Sequence, residues 1–386
     1  MFSRKIRNIP EAMSIRFNQM VYEKKKQGER IITLSLGEAF FDIPPFCFSE
    51  ADFKQGYHYT DSRGLPALRE KIASHYQKSY QGSIDPDPEL LITAGSKIAI
   101  YMALQCLLND GDEVFIHEPA WVSYTEQVHL LGGVPKFFPY WEKVDAFEAY
   151  LTPKTKVIIL NNPNNPTGYL YSKNELKLIY KICQARGIFL LVDEAYSDFV
   201  PITSKFYSAV NLSDTKENLV VVNSLSKNFG MSGWRVGYAI GHADFIRQLL
   251  KVNQHLVTCA PTFLQIYMSQ HFDKVLEITL PQVQQLLLKR ARVKKLIDEL
   301  GLFVLEGDAA FYFFLKIDAH NSMEFALNLF EKHGISVVPG IAYGENCHHF
   351  VRVSIGTESI EAIKEALSVI KTELVSTPLS LVSALA

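Results

Sequence analysis

Short apolar runs alternate along the chain with segments in which apolar residues recur at helical spacing. The run LLIT at 90–93 precedes a helical segment at 97–108, and the run EVFIHE at 113–118 follows it. The nearly all-apolar run at 156–162 is typical of a strand that is buried on both faces. Strands that alternate with helices in this way predict an α/β fold with a mostly parallel sheet.

The same alternation continues further along the chain. Ser172 and Glu175 have the spacing of a capping box, which predicts that a helix begins directly after Ser172. Two further apolar strands are predicted to end at Asp193 and at Ser224. Polar and glycine-rich residues follow these strands, and in open parallel sheets ligands bind at the carboxyl ends of the strands.

The pattern changes at about residue 280. One long helical stretch at 282–301 leads to short strands at 311–317 and 350–356, which alternate with helices. This change predicts a second, smaller α+β domain, with which the N-terminal residues pack because chain termini often lie close together. The predicted division is a large domain over residues 41–280 and a small domain over residues 1–40 and 281–386.

Composition narrows the functional classes. The chain has 386 residues, of which 48% are hydrophobic and 21% are charged, as in ordinary globular proteins. A net charge of −2 argues against a nucleic-acid partner. The five cysteines form no C-x-x-C pair, which argues for a reducing compartment and against a disulfide framework or a metal site. No apolar run reaches the roughly 18 residues of a membrane span, and the N-terminus lacks the apolar core of a signal peptide. We therefore expect no membrane partner and a cytoplasmic location.

Gly95, Ser96 and Lys97 lie between a predicted strand and a predicted helix. Backbone N–H groups at the start of a helix form an anion site, so these residues are candidates for binding phosphate. The alternative is an ordinary turn in which the serine caps the helix. The P-loop pattern is absent.

Asp193 and the segment NNPNNPTG at 161–168 stand at the ends of two apolar strands. A carboxylate buried there needs a cation or a strong donor, and a protonated ring nitrogen serves as well as an arginine. Alternatively, Asp193 is the N-cap of a helix. The two prolines make the segment rigid, and its asparagines offer donors and acceptors, although a purely structural turn has the same composition.

Lys227 stands in the segment NSLSKNFGMSGWRVGY at 223–238. A neutral lysine forms an imine with a carbonyl compound, and a nearby cation such as Arg235 favours the neutral form. Arg235 could also bind a phosphate in a bidentate manner, with Ser224 and Ser226 as further donors. The alternative is a surface lysine in a glycine-rich loop.

Trp121 follows another strand and offers a flat face for stacking, or else belongs to the core. Taken together, the candidates indicate one flat, aromatic, phosphorylated ligand with a carbonyl carbon and a basic ring nitrogen. Pyridoxal 5'-phosphate fits that description.

The chain resembles the class I aminotransferases of the pyridoxal-phosphate fold type I superfamily, the group that is similar to aspartate aminotransferase. The resemblance runs collinearly from about residue 5 to residue 370. The combination of NPNNPTG with SLSK and the later Arg-Val-Gly is specific to this superfamily. It implies a three-layer large domain with a mostly parallel sheet and a smaller α+β domain. The motifs that carry it are LSLGE, YHYTDSRGLPALRE, TAGSK, EPAWVSY, NNPNNPTG, DEAYSDF, SLSKNFGMSGWRVGY and VRVSIG.

The resemblance implies a role for each matching residue around the cofactor. Lys227 would hold the internal aldimine, and Asp193 would pair with the pyridinium nitrogen. Tyr196 and Asn165 would hydrogen-bond the phenolic oxygen, and Trp121 would stack on the ring. The catalytic residues would thus be Lys227, Asp193 and Tyr196. The phosphate would lie among Gly95, Ser96, Lys97, Ser224, Ser226 and Arg235.

The resemblance also implies how substrates and a second subunit take part. Arg352 would bind the substrate α-carboxylate, helped by the backbone at Gly37 and by Asn165. Since Arg352 lies in the predicted small domain, substrate could draw that domain shut over the large one. Tyr59 would reach the phosphate of the neighbouring subunit, which implies a homodimer with shared active sites. The reaction would move an amino group between an L-amino acid and a 2-oxo acid by a ping-pong mechanism.

The chain departs from its relatives after Gly37. Many relatives continue G-E-P-D-F, whereas this chain reads GEAFF at 37–41. That stretch borders the substrate in the family, so the substrate preference stays open. Arg16 and Lys97 are the candidates for binding a side-chain carboxylate.

Two other functions compete with the aminotransferase hypothesis. A carbon–sulfur β-lyase or an enzyme like aminocyclopropane-carboxylate synthase would share SLSK and the arginine, but the NPTG loop favours the transferase. A non-catalytic regulator would need an appended DNA-binding domain. The N-terminal region is too short for such a domain, and the net charge is not basic.

Overall fold

The computed structural model describes residues 2–7, 9–317 and 321–376. The α-helices are α1 (Arg4–Arg7), α2 (Met13–Lys26), α3 (Glu50–Gln55), α4 (Pro66–His75), α5 (Ser96–Leu107), α6 (Ser123–Leu130), α7 (Phe147–Tyr150), α8 (Lys173–Arg186), α9 (Ala243–Leu256), α10 (Thr262–Glu299), α11 (Ser322–His333) and α12 (Ile360–Ser376). A π-helix covers Tyr76–Tyr80, and 3₁₀-helices cover Val144–Ala146, Ala209–Leu212, Ser232–Trp234 and Gly340–Tyr343. The strands are β1 (Ile32–Thr33), β2 (Leu90–Thr93), β3 (Glu113–His117), β4 (Val134–Phe138), β5 (Thr155–Asn161), β6 (Phe189–Asp193), β7 (Leu219–Ser224), β8 (Gly237–Gly241), β9 (Tyr312–Lys316), β10 (Ile335–Ser336), β11 (Val338–Pro339) and β12 (Phe350–Ser354).

The largest sheet has seven strands in the order β2-β8-β7-β6-β5-β3-β4. Strand β8 runs antiparallel to both of its neighbours, and the remaining pairs are parallel. The predicted α/β fold with a mostly parallel sheet is therefore confirmed. The predicted ends of β6 at Asp193 and of β7 at Ser224 are also confirmed.

Both faces of this sheet are buried except at the edge strand β4, which explains why the inner strands are almost wholly apolar. Alternate residues such as Ile158 and Ile159 on β5 enter two different hydrophobic clusters. Helices α4, α8 and α10 contribute to one cluster, and helices α5, α6 and α9 contribute to the other. The arrangement has three layers, with the sheet in the middle.

Helix α8 begins as its sequence predicts. The backbone N–H of Glu175 donates to Ser172 Oγ over 3.2 Å, and the backbone N–H of Ser172 donates to Glu175 Oε2 over 2.8 Å. These bonds satisfy donors that the first turn of a helix leaves free. The reciprocal capping box is thus confirmed.

A second group of strands follows α10. Strands β11, β12 and β9 form an antiparallel sheet, and β1 pairs in parallel with β10. Residues near the N-terminus, such as Phe17 and Leu34, share a hydrophobic cluster with Phe311 and Ile363. The N-terminal segment therefore packs against the C-terminal part. The division into two domains at residue 280 stays a prediction, and residues 318–320 and 377–386 of the predicted small domain lie outside the described residues.

Helix α10 is longer than the predicted stretch at 282–301. It covers Thr262–Glu299 and contains Pro281 in its interior. Proline lacks a backbone N–H and usually breaks a helix, so the sequence pattern indicated only the part that follows it. Apolar residues before the proline, including Phe272 and Val275, are buried against the large sheet. None of the described helices, α10 included, is long and apolar enough to cross a membrane.

Candidate active site

A cleft of about 280 Å³ lies at the carboxyl ends of β6 and β7. The predicted site residues that line it are Gly37, Ser96, Lys97, Trp121, Asn165, Asp193, Tyr196, Ser224, Ser226, Lys227, Arg235 and Arg352. Gly95 precedes Ser96 but does not line the cleft, and Tyr59 is 83% exposed and lies outside it. Ser14, Ile15 and Asn18 of α2 form another part of the wall. Arg16 does not line the cleft.

A larger crevice, of about 790 Å³, lies elsewhere and is walled by residues such as Tyr140, Trp141 and Phe303. It contains none of the predicted site residues. The volume of a cavity therefore does not identify the active site. The smaller cleft is the candidate active site because the ionisable side chains with shifted pKa values line it.

Lys227 reaches the centre of the cleft from the loop after β7. Its Nζ donates a hydrogen bond to the carbonyl of Gly37 over 2.5 Å. Burial lowers the pKa of Lys227 to about 8, and the positive charges of Arg352 and Arg235 act in the same direction, whereas Glu38 and Asp193 oppose the shift. A substantial fraction of this amine is neutral near physiological pH. The surface-lysine alternative is wrong, because this side chain lines the cleft.

Asp193 ends β6 with its carboxylate buried. Oδ2 accepts a hydrogen bond from the Tyr124 hydroxyl over 2.8 Å, and Oδ1 accepts one from the backbone N–H of Ala195 over 3.1 Å. Burial raises the pKa of Asp193 to about 6, and these two donors limit the rise. Turns rather than a helix follow Asp193, so the helix N-cap alternative is wrong.

The segment 161–168 is anchored to the end of β6. Asn161 donates from Nδ2 to the carbonyl of Asp193 over 2.9 Å, and its Oδ1 accepts the backbone N–H of Asn165 over 2.6 Å. Asn165 in turn accepts a hydrogen bond at Oδ1 from Arg352 Nη1 over 3.2 Å. The segment thus links the end of β6 at Asp193 to Arg352.

Arg352 lies on β12 and is only 3% exposed. Its Nη2 donates to the carbonyl of Ser35 over 2.6 Å. The guanidinium carbon lies 4.6 Å from the ring centre of Tyr312 and 5.5 Å from that of Tyr343. Within the described residues, Arg352 Nε has no hydrogen-bond partner. A buried guanidinium with an unused N–H is suited to binding a carboxylate.

The opposite end of the cleft is built for an anion. Helix α5 begins at Ser96, and Gly95 at its N-cap has a φ of 90°. The positive φ favours glycine at this position, and a Cβ there would displace the guanidinium of Arg235 from its place against the backbone. Lys97 Nζ lies 5.0 Å from the ring centre of Trp121, and burial, followed by the charge of Arg235, lowers the pKa of Lys97. The serine-cap alternative is wrong, since no side chain caps α5.

Several residues of the site did not stand out in the sequence. Tyr124, which holds Asp193, follows Trp121 by three residues in the motif EPAWVSY. Tyr312 donates to or accepts from the Tyr196 hydroxyl over 2.9 Å. Glu38 lines the cleft and accepts a hydrogen bond from the Ser232 hydroxyl. Tyrosine hydroxyls carry no spacing pattern, so only the fold could bring them to the site.

Comparison with known proteins places this cleft in context. The family model described as aminotransferase class I and II matches residues 29–370. The (5-formylfuran-3-yl)methyl phosphate transaminase of Methanocaldococcus jannaschii is 32% identical over 375 residues, which cover 96% of this chain and 99% of that protein. The aspartate aminotransferase of Thermotoga maritima is 34% identical over 380 residues, which cover 95% of this chain and 97% of that protein.

A solved structure is similar over nearly the same length. The aspartate aminotransferase of Thermus thermophilus with maleate superposes with a TM-score of 0.86 at 26% identity, covering 96% of this chain and 99% of that one. These three relatives are all named as amino-group transferases, and none of them favours the lyase alternative.

Proposed function

The chain belongs to the class I and II aminotransferases and is a pyridoxal-phosphate-dependent enzyme, and from this premise we propose the roles of the residues around Lys227. The observation that carries the proposal is the position of Lys227. Its amine lies in one cleft with the carboxylate of Asp193 on β6 and the guanidinium of Arg352 on β12. The overall reaction is the transfer of an amino group from an L-amino acid to a 2-oxo acid by a ping-pong mechanism.

The residues present fit pyridoxal phosphate. When bound, this group supplies an electrophilic carbonyl carbon and an aromatic ring that accepts electrons. Asp193 is anionic above a pH of about 6 and would hold a proton on the ring nitrogen. Tyr124 orients that carboxylate through its hydroxyl. Trp121 lines the cleft and would stack on the ring.

The phosphate would bind at the start of α5. The free backbone N–H groups of Ser96 and Lys97 point out of the first helical turn, and the helix dipole favours an anion there. Arg235 adds a bidentate cation, and Ser224 and Ser226 add hydroxyl donors. Gly95 keeps the approach to Arg235 open.

Lys227 both binds the cofactor and moves the substrate proton. A pKa of about 8 leaves part of the amine neutral at working pH, which a nucleophile requires. The same amine would also accept the proton that leaves the substrate Cα, because Lys227 would lie beside that carbon. Tyr196 and Asn165 would hydrogen-bond the phenolic oxygen of the cofactor.

Substrate enters with its α-carboxylate towards Arg352. The unpartnered Nε and the planar fork of donors suit a carboxylate, and Asn165 and the backbone at Gly37 flank it. Closure of the predicted small domain over the bound substrate would exclude water.

We further propose that the enzyme acts as a homodimer with shared sites. Tyr57 and Tyr59 are 75% and 83% exposed, and aromatic surface of this kind is typical of interfaces. The hydroxyl of Tyr59 would bind the phosphate in the partner subunit.

The assignment of Lys227 is tested by trapping. Purified protein is loaded with pyridoxal phosphate, treated with borohydride, digested and examined by peptide mass spectrometry. The phosphopyridoxyl label is expected on Lys227. A label on another lysine, Lys97 being the nearest control, would contradict the proposal. A panel of amino donors with 2-oxoglutarate or pyruvate as acceptor, followed through the visible spectrum of the cofactor, then identifies the substrates.

A further inference from the structure

Glu118 is a buried carboxylate that the proposed reaction does not use. It follows β3 and is 2% exposed. Its partners lie on the loop after the 3₁₀-helix Gly340–Tyr343: Asn346 donates from Nδ2 to Oε2 over 2.7 Å and from its backbone N–H to Oε1 over 3.4 Å. Burial raises the pKa of Glu118, and the bonds from Asn346 oppose the rise. A carboxylate in such a place costs free energy that an apolar residue would not.

The contact extends on both sides of Glu118. The backbone N–H of Ala120 donates to the carbonyl of Tyr343 over 2.8 Å. Gly344 packs so closely on Glu118 that a Cβ there would collide with the carboxylate. Asn164 donates from Nδ2 to the carbonyl of Pro119 over 3.1 Å. Residues 118–120 therefore hold residues 343–346 against the carboxyl end of β3 in the large sheet.

Tyr343 connects the loop that Glu118 holds to Arg352, at the end of the cleft where we propose that the substrate carboxylate binds. Its side chain is 2% exposed and its ring centre lies 5.5 Å from the guanidinium carbon of Arg352. A guanidinium that rests against aromatic rings has its plane set by them. The position of Tyr343 thus bears directly on the direction in which Arg352 presents its donors.

We propose that Glu118 is a positioning residue for substrate recognition: it holds the loop 343–346, and through Tyr343 it orients the guanidinium of Arg352 towards the substrate α-carboxylate. The inference rests on the role proposed above for Arg352. Glu118 lies outside the cleft, and by this proposal it affects the binding of the substrate α-carboxylate and of no other substrate group. Amines that lack a carboxylate gain nothing from it.

The test compares an amino acid with the amine that has the same side chain. Phenylalanine and 2-phenylethylamine are reacted with the cofactor-loaded enzyme, and the rate of the spectral change is measured against concentration. The ratio of their kcat/KM values reports carboxylate recognition, and a general structural defect lowers both values together. Arg352→Ala is expected to lower the ratio most.

Glu118→Leu is expected to lower the ratio about tenfold through KM, since it removes both acceptors of Asn346. Glu118→Gln keeps one acceptor and is expected to restore most of the ratio. Asn346→Ala, at an exposed residue, removes the same side-chain bond with the least risk to folding and is expected to lower the ratio severalfold. His348→Ala, at an exposed residue just beyond the loop 343–346, is the matched control and should leave the ratio unchanged.

The outcomes separate the two proposals. If Arg352→Ala leaves the ratio unchanged, the proposed role of Arg352 fails. If Arg352→Ala lowers it but Glu118→Leu and Asn346→Ala do not, the role of Glu118 is overturned. That role is also overturned if Glu118→Leu lowers the ratio equally with and without Arg352→Ala, because the effect would then not pass through the arginine. Should Glu118→Leu not fold, Asn346→Ala decides alone.

Discussion

Asp193 and Glu194 are adjacent buried acids at the end of β6, and they are stabilised by different hydrogen-bond donors. Asp193 faces the cleft and accepts two hydrogen bonds there. Glu194 points into the core, where Ser208, Tyr76 and the backbone N–H of Ala209 donate to it. Burial raises the pKa of Glu194 to about 8, so the folded protein holds a proton on it at neutral pH.

Glu194 contributes to the pH dependence of stability, together with Asp193, whose pKa is also raised. Between the unfolded pKa of about 4.3 and the folded value of about 8, the folded state binds more protons than the unfolded state. The free energy of unfolding therefore falls as the pH rises through this window. In Glu194→Gln this contribution disappears, and the fall between pH 5 and pH 8 should be smaller by an amount on the order of 4 kcal/mol.

Urea unfolding of the cofactor-free protein at pH 5 and pH 8, followed by circular dichroism, measures the difference. Glu70→Gln, at an exposed residue, is the control and should behave like the parent protein. An equally steep fall in Glu194→Gln would show that this carboxyl is ionised in the folded state at neutral pH.

Asp193→Asn tests the other acid. The amide keeps the size of the side chain but cannot hold a positive charge opposite it, so turnover should fall by about 10²- to 10⁴-fold. Tyr124→Phe removes only the donor to Oδ2 and should have a much smaller effect. Steady-state turnover together with cofactor content separates loss of chemistry from loss of binding. Turnover within about threefold of the parent in Asp193→Asn would contradict the assignment.

The sequence predicted the site residues that directly follow strands. It missed the residues that reach the site only through long-range folding. Asp193 ends one apolar run and Lys227 follows another, so their position at the carboxyl ends of the strands could be inferred. Asn228 had no predicted role, yet its Nδ2 donates to Ser197 Oγ over 2.9 Å in a buried network. Tyr343 reaches Arg352 from a separate loop, which no spacing along the chain indicates.

Helix α10 joins the two groups of strands, because its residues enter the hydrophobic clusters of both. Arg290 on this helix is 4% exposed and donates from Nη2 to the carbonyls of Gly307 and, over 3.3 Å, Tyr312. The carbonyl of Thr167, in the segment that carries Asn165, lies 3.5 Å from the same nitrogen. Burial lowers the pKa of Arg290 to about 10. The helix therefore supports the cleft through the carbonyls of two different segments.

Arg290→Met should destabilise the protein by about 3 kcal/mol, because buried carbonyls lose their donor. Lys295→Met on the same helix is the matched control. That lysine is 80% exposed in a 3.9 Å ion pair, and its replacement should change stability by less than about 0.5 kcal/mol. Denaturant unfolding gives both values. Equal effects of the two substitutions would show that the buried contacts of Arg290 contribute nothing.

The sequence predicted helices and strands correctly where a single signal, such as an apolar run or a capping box, was present. It failed where two signals conflicted, as at the proline inside a helical pattern. The five strands β2, β3, β5, β6 and β7 are apolar and were recognised, whereas β4 and β8 were not, and the capping box located the start of α8. In α10 the apolar periodicity continues through Pro281, and packing against the sheet overrides the local preference of proline. The insertion of β8 between β2 and β7, antiparallel to both, follows from long-range pairing that no local pattern specifies.

The whole molecule, as a single chain, leaves Tyr59 away from the cleft that it is proposed to serve. Complementation distinguishes a shared site from a separate one. Lys227→Ala and Tyr59→Phe chains are given different affinity tags, produced together, and purified through both tags in turn. If Tyr59 serves the partner subunit, each mixed dimer contains one intact site and should show about half of the parent activity.

Both homodimeric variants serve as controls, with Lys227→Ala inactive and Tyr59→Phe retaining the cofactor poorly. If Tyr59 served its own chain, no site in the mixed dimer would be intact and the activity would stay at the level of Tyr59→Phe or below. A monomeric parent protein in sedimentation would remove the dimer proposal altogether.

The wall that α2 contributes to the cleft has a consequence for how this enzyme can change over generations. The groups proposed to bind the cofactor ring and the substrate α-carboxylate are buried, with Asp193 at 5% and Arg352 at 3% exposure. Ile15 in the α2 wall is 56% exposed, so its replacement removes little packing. The fold therefore tolerates variation at this rim, and a new range of substrates can evolve while the catalytic core stays under strict selection.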